Sequence, residues 1–442
     1  MAHQAHALPW QTIADHFKFV YKKRAHHGRT NLYPCFKPGQ GNQLQHFARV
    51  FARLMDDASA QERKKYPEEL VPPEEDEIFI SDRTVKRVAK SIKWYKRGCS
   101  KHTAACHAVG SCKIGHLQET LPLSEEERKL PYWRDNFEAV RQDETRHDPR
   151  QSVELLKTLL LYDEMEPLLR LAVHPKICLP IHYAYLENDL ESWCTDIKNS
   201  ALIAYIGLNM FVVKPELYDP TTRSLALAEM KKKYRLAYTP EMFDYRNTSS
   251  YQSILTRVTY TSRPHDYGVC ALPHREFFGI EKDMITTSPY SRLLQDRLGQ
   301  VPPSQLLDAR YRSWYVPTAS DVSTVLSILQ TRVPTELALE ILEYADYTAK
   351  RRISVANDPL HADNAEELKK YLNYCWKVLV RIDMLAKADG RWIDWEYEVT
   401  DIIYSLWGVQ GSKKMSTTVT EWDYAGRQYG EIDLGRVRRT FI

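Results

Sequence analysis

Cys99, Cys106, Cys112 and His116 follow one another as C-x6-C-x5-C-x3-H, so three of the eight cysteines of this 442-residue chain fall within fourteen residues. Thiolates and a neutral imidazole are the ligands Zn²⁺ prefers, four of them in a tetrahedron at about 2.0–2.3 Å, and short loops let a small segment wrap one ion. The spacing therefore predicts zinc as a cofactor. His102 and His107 lie between the proposed ligands and could replace one of them. Three thiolates and an imidazole leave the site at a formal charge of −1, which Lys96, Arg97, Lys101 and Lys113 are placed to offset.

The segment leading into the cluster is basic. Arg83, Lys86, Arg87, Lys90, Lys93, Lys96 and Arg97 recur at offsets of three and four, one continuous positive stripe if the segment is helical. Val85, Val88, Ala89, Ile92 and Tyr95 interleave as an apolar stripe, with Ser81 as N-cap and Gly98 as stop. Such a stripe can meet phosphates and release counterions, and Trp94 can stack on a base. With these flanks the Cys/His spacing resembles the CCCH zinc finger, a family that mostly binds single-stranded RNA. The resemblance spans only the knuckle at 99–116. It implies single-stranded RNA binding, for which the adjoining stripe supplies Arg83, Lys86, Arg87, Lys90, Lys93, Trp94, Lys96 and Arg97 as candidate contacts. Ile114 departs from the family, standing where an aromatic is usual, and no aromatic lies between the ligands.

Composition bounds the alternatives. A hydrophobic fraction of 43% with 11% aromatic residues excludes general disorder, and a net charge of +3 excludes a histone-like polycation, so polyanion affinity must be local. The longest apolar run, Ala201 to Val213, is too short for the ~20 residues of a membrane span. No secretory signal is evident at the N-terminus, and the five remaining cysteines are scattered and odd in number, so the expected compartment is cytoplasmic or nuclear.

Those bounds and the apolar periodicity predict a mainly α, irregular multi-helix protein with one zinc-stapled knuckle and an irregular, partly β middle. We divide it into a helical N-terminal region (1–66), an acidic, Pro-rich linker (67–80), the basic helix and knuckle (81–118), a helical and irregular middle domain (150–320), a C-terminal helical domain (322–410) and an extended tail (411–442). Residues 8–58 are read as two helices, 151–174 as two helices broken near Pro167, and 254–260 as a strand from its β-branched residues. Asp363 to Trp407 reads as two apolar helices turning at Gly390.

Other groupings are weaker. His174, Cys178 and His182 are four apart, but Pro175 and Pro180 break the helix that would align them. Cys270 and His274 are also four apart. No nucleophile, base and acid group together as a catalytic set, so the chain reads as a binding protein rather than an enzyme. Residues Val333 to Ala345, with Pro334, Glu336, Leu337, Ile341 and Leu342, resemble the opening of an F-box. That resemblance implies a second function, a helical protein-interaction adaptor whose partner docks on 333–347 while the zinc site is purely structural. The C-terminal block is also similar to uncharacterised proteins of filamentous fungi, which implies no activity.

Overall fold

The computed structural model describes residues 8–21, 30–34, 41–98, 123–135, 150–177, 179, 193–219, scattered positions from 221 to 232, and then 245–259, 268–280, 317–345, 347–356 and 358–407. Within them the protein is mainly α. In chain order the elements are α1 (Trp10–Ala14), β1 (Phe17–Tyr21), β2 (Thr30–Pro34), α2 (Gly41–Arg63), α3 (Asp82–Gly98), α4 (Arg150–Leu161), α5 (Met165–Ala172) and α6 (Trp193–Val212). They continue with α7 (Ser249–Thr259), α8 (Leu272–Phe278), α9 (Ala319–Gln330), α10 (Thr335–Tyr344), α11 (Ala365–Ala388) and α12 (Trp395–Trp407).

The core forms where α2, α6, α11 and α12 pack together, with α7 against α6 and with α3, α4 and α5 along the other side. Its centre is a knot of rings. Phe51 of α2 lies 5.4 Å from Trp376 of α11, which lies 5.4 Å from Tyr205 of α6. Trp10 of α1 meets Phe47 at 4.9 Å. Such tilted and edge-on pairs add directional attraction to the burial of large apolar area. The run Ala201–Val213 supplies α6, and Gly207 lets α7 approach closely. A Cβ there would sit 2.3 Å from Ile254 Cδ1.

Two local readings are corrected. Residues 17–21 and 30–34 are not helical: β1 and β2 pair antiparallel, with Phe17 opposite Pro34 and Tyr21 opposite Thr30. Phe17, Val20 and Tyr21 satisfy helical spacing, but Phe17, Phe19 and Tyr21 also alternate, and aromatic and branched residues suit a pleated surface. Phe17 then packs edge-on against Trp407 at 5.2 Å.

The second correction is the proposed strand at 254–260, whose described part belongs to α7. Ile254 and Val258, one turn apart, are both fully buried, and packing on α6 overrides β propensity. The partly β middle is therefore not observed among the described residues.

The two helices read in 151–174 are present as α4 and α5, and the break between them falls at residues 162–164, just before Pro167. Asp163 adopts a left-handed φ of 68° there, and Pro167 sits in the first turn of α5, where its missing N–H is not needed. Arg381 of α11 closes the open end of α4. It donates to the carbonyls of Leu160 and Leu161 and pairs with Asp163 at 2.9 Å, supplying the donors that a helix C-terminus lacks.

Residues 317–352 leave this core. α9 and α10 form a hairpin that packs chiefly on itself. Its inward residues Ala338 and Leu342 are buried but stand outside the main hydrophobic cluster, which the chain rejoins at Ile353.

Candidate functional site

The four proposed zinc ligands, Cys99, Cys106, Cys112 and His116, lie outside the described residues, as do His102, His107, Cys178 and His182. Among the described residues no group of His, Cys, Asp and Glu could hold a metal ion. Nor is any helix among them long and apolar enough to cross a membrane.

The basic stripe does form a helix, α3, capped as expected: Thr84 N donates to Ser81 Oγ at 3.2 Å. Two of its cations, however, are engaged within the chain. Arg87 pairs with Glu164 at 2.8 Å and donates to the Tyr162 carbonyl, while Lys90 pairs with Glu276 at 2.7 Å. Arg83 and Lys86 remain exposed. Lys93, Trp94, Lys96 and Arg97 lie on the last turns of α3, their side chains outside the described set. The acidic stretch 67–80 finds other partners, with Glu77 held by Arg170 and Glu75 by Arg134. The Glu77 carboxyl is held below its usual range, mainly by the Arg170 hydrogen bond.

A second concentration of chemistry is internal. His274 of α8 is sealed in the core, its Nδ1 2.5 Å from the Tyr371 hydroxyl of α11. Phe277 stacks on the Tyr371 ring at 3.8 Å. Burial drives the His274 pKa down to about 3, so the ring is neutral. Burial likewise pushes the phenols of Tyr371 and Tyr374 and the thiol of Cys375 well above their usual ranges. Every group is held in its uncharged form, and Cys270, one turn before His274, is buried as well. This arrangement suits a structural core, in which the Tyr374 hydroxyl has no hydrogen-bond partner among the described residues, and it offers no reactive thiolate.

The third place is the hairpin, where the chain exposes what it elsewhere buries. Thr318 and Asp321 start α9 with reciprocal capping bonds, and Gln330 Nε2 reaches Thr335 Oγ1 across the turn. The foot is tied down, with Lys350 N and Arg351 N donating to the Pro317 carbonyl and Arg352 N to that of Glu276. Above this clamp Ile328, Leu337, Leu339, Ile341 and Tyr344 are exposed, Tyr344 by 87%. Leu337, Ile341 and Tyr344 are four and three residues apart, one stripe along α10. No residue of α9 is buried.

The polar residues on α9 are unusual for a solvated helix. Its exposed Ser320, Ser323, Thr324 and Ser327 carry no charge. Two of the hydroxyls are already used, Thr324 Oγ1 donating to the Ser320 carbonyl at 2.9 Å and Ser327 Oγ to that of Ser323 at 3.0 Å. Desolvating this face would strand few donors, which lowers the penalty for covering it. The sequence had singled out Leu337, Ile341 and Leu342, and the structure exposes the first two and buries the third. Ile328, Leu339 and Tyr344 were missed, because apolar spacing identifies a stripe but not whether anything covers it.

Comparison with known proteins identifies the chain. Residues 11–418 match the family described as Gramillins biosynthetic cluster protein GRA5, and the chain belongs to that family. No curated protein and no solved structure matches it. The family match overturns the CCCH zinc finger and F-box resemblances and, with them, the RNA-binding and F-box-like functions. It spans almost the whole chain where those rested on about eighteen and thirteen residues, and no zinc finger family is detected.

Proposed function

We propose that this protein, as a member of that family, serves a gramillins biosynthetic cluster by holding a second protein on the α9–α10 hairpin. One observation carries the reading: an apolar stripe on a firmly anchored arm none of whose hydrophobic residues belongs to the main core cluster. Soluble proteins rarely leave such a stripe uncovered unless something binds it. Helical surfaces of this kind accept amphipathic helices through residues at i, i+4 and i+7. The sealed His274–Tyr371 pair supports no competing catalytic site among the described residues.

The test is made in a producing cell. Leu337→Asp with Ile341→Asp should lower the yield of the cluster's product, while the purified variant keeps wild-type helicity and melting temperature. A stably folded double variant that restores full product yield in a strain lacking the gene would overturn the proposal.

A further inference from the structure

We infer that the occupant of the hairpin is a single basic amphipathic helix. This rests on the docking reading above and specifies its partner. Charge is the first argument. Around its apolar stripe α10 carries Glu336, Glu340 and Glu343 and no cation, all three exposed and, among the described residues, without an ion-pair partner. The only cation between Thr318 and Ala345 is Arg332, at the turn. A partner helix with Lys or Arg flanking its apolar face would meet these carboxylates, whereas an acidic one would be repelled. The chain as a whole has a net charge of +3, so any preference for a cationic ligand must arise locally.

Size is the second argument. Helices of 12 and 10 residues are about 18 and 15 Å long and lie about 8–10 Å apart. The exposed face of α10, about 15 Å by 10 Å, is on the order of 150 Å², well short of the ~800 Å² each partner contributes to a standard stable interface. It matches one helix of three or four turns. A second copy of this chain fits poorly, because two-fold pairing of the hairpins would bring the glutamates of one α10 towards those of the other.

The test uses the full chain and two fluorescent 15-residue helical peptides. Both have leucine at i, i+3, i+4 and i+7; lysine fills the polar positions of one and glutamate those of the other. By fluorescence anisotropy the wild type should prefer the lysine peptide at least tenfold. Glu336→Lys/Glu340→Lys/Glu343→Lys should reverse the preference, and Leu337→Ser/Ile341→Ser should lose both peptides. Equal binding of both peptides by the wild type, lost in the serine variant, would leave docking standing and overturn the basic partner. Binding that survives in the serine variant, or no binding of either peptide, would overturn the inference at the hairpin altogether. Sedimentation of the wild type as a dimer that Leu337→Ser/Ile341→Ser dissociates would assign the face to a second copy and overturn it too.

Discussion

The hairpins α9–α10 and α11–α12 follow one another in the chain and draw on much the same leucine, isoleucine and valine, yet one forms the core and the other stands outside it. Along α11 and α12 the apolar residues are joined by large rings, Tyr371, Trp376, Trp395 and Trp407, all buried, and the outward positions carry Glu366, Glu367, Lys369, Lys370 and Lys377. Along α9 the outward positions are mostly serine and threonine, with Ile328 among them, and apart from Tyr344 the pair has no ring. Large rings reach neighbouring elements and charged residues mark a face kept wet. A helix lacking both presents a face suited to being covered later.

The sharpest break of that contrast is a truncation in each hairpin. Trp376→Ala removes a ring that touches both Phe51 and Tyr205, and should lower unfolding free energy by about 3–5 kcal/mol in urea titration. A loss below about 1 kcal/mol would mean that α11 is not the centre of the fold.

Next in size is a buried charge pair that fastens α12 to α6. Lys198 and Glu398 pair with only 9% and 19% of their side chains exposed. Removing one partner leaves the other charge buried and unpaired, so Lys198→Met should destabilise by about 3 kcal/mol, whereas Lys198→Met/Glu398→Leu should recover most of the loss. No recovery in the double variant would show that the pair matters for packing rather than charge. The exposed glutamates of α10 have no counterpart to this pair among the described residues.

How much of this contrast was legible in the sequence differs by region. Asp363–Trp407 reads as two helices turning at Gly390 because Leu368, Leu372, Leu379 and Ile382 keep helical spacing and a glycine marks the turn, and the structure gives Gly390 the left-handed φ of 69° that glycine permits. The strands at 17–34 were misread because their aromatic residues satisfy two periods at once. The anchors of α3 were invisible: Arg87 and Lys90 find Glu164 and Glu276 at separations of 77 and 186 residues, and charge patterning reads only neighbours. For the hairpin the stripe was legible and its exposure was not, since exposure depends on where 317 and 351 are clamped.

Acid separates the two regions further. His274 has a folded pKa of about 3 against an ordinary value of 6.5. The unfolded chain therefore takes up a proton that the folded core refuses. This contribution is complete above pH 6.5, and stability falls as pH drops from there towards 3, by up to about 1.4 kcal/mol per pH unit. Between pH 6.5 and 5, urea midpoints should fall less steeply in His274→Phe than in the wild type. Parallel slopes would show that the ring is not held neutral by the core around α11.

The smallest expected effect sharpens the comparison most. Ile341 is 44% exposed and Leu337 49%, and neither belongs to the core cluster. Truncating either side chain leaves no closed cavity, so the term that makes core substitutions expensive is absent. Ile341→Ala and Leu337→Ala should each change unfolding free energy by no more than about 0.5 kcal/mol, against several for Trp376→Ala. Both should reduce binding of an apolar dye such as ANS to the native protein, because the stripe it would contact is smaller. A loss above about 2 kcal/mol from Ile341→Ala would place the residue in a packed interior. The difference between the hairpins would then be one of degree, and the docking reading would lose its basis.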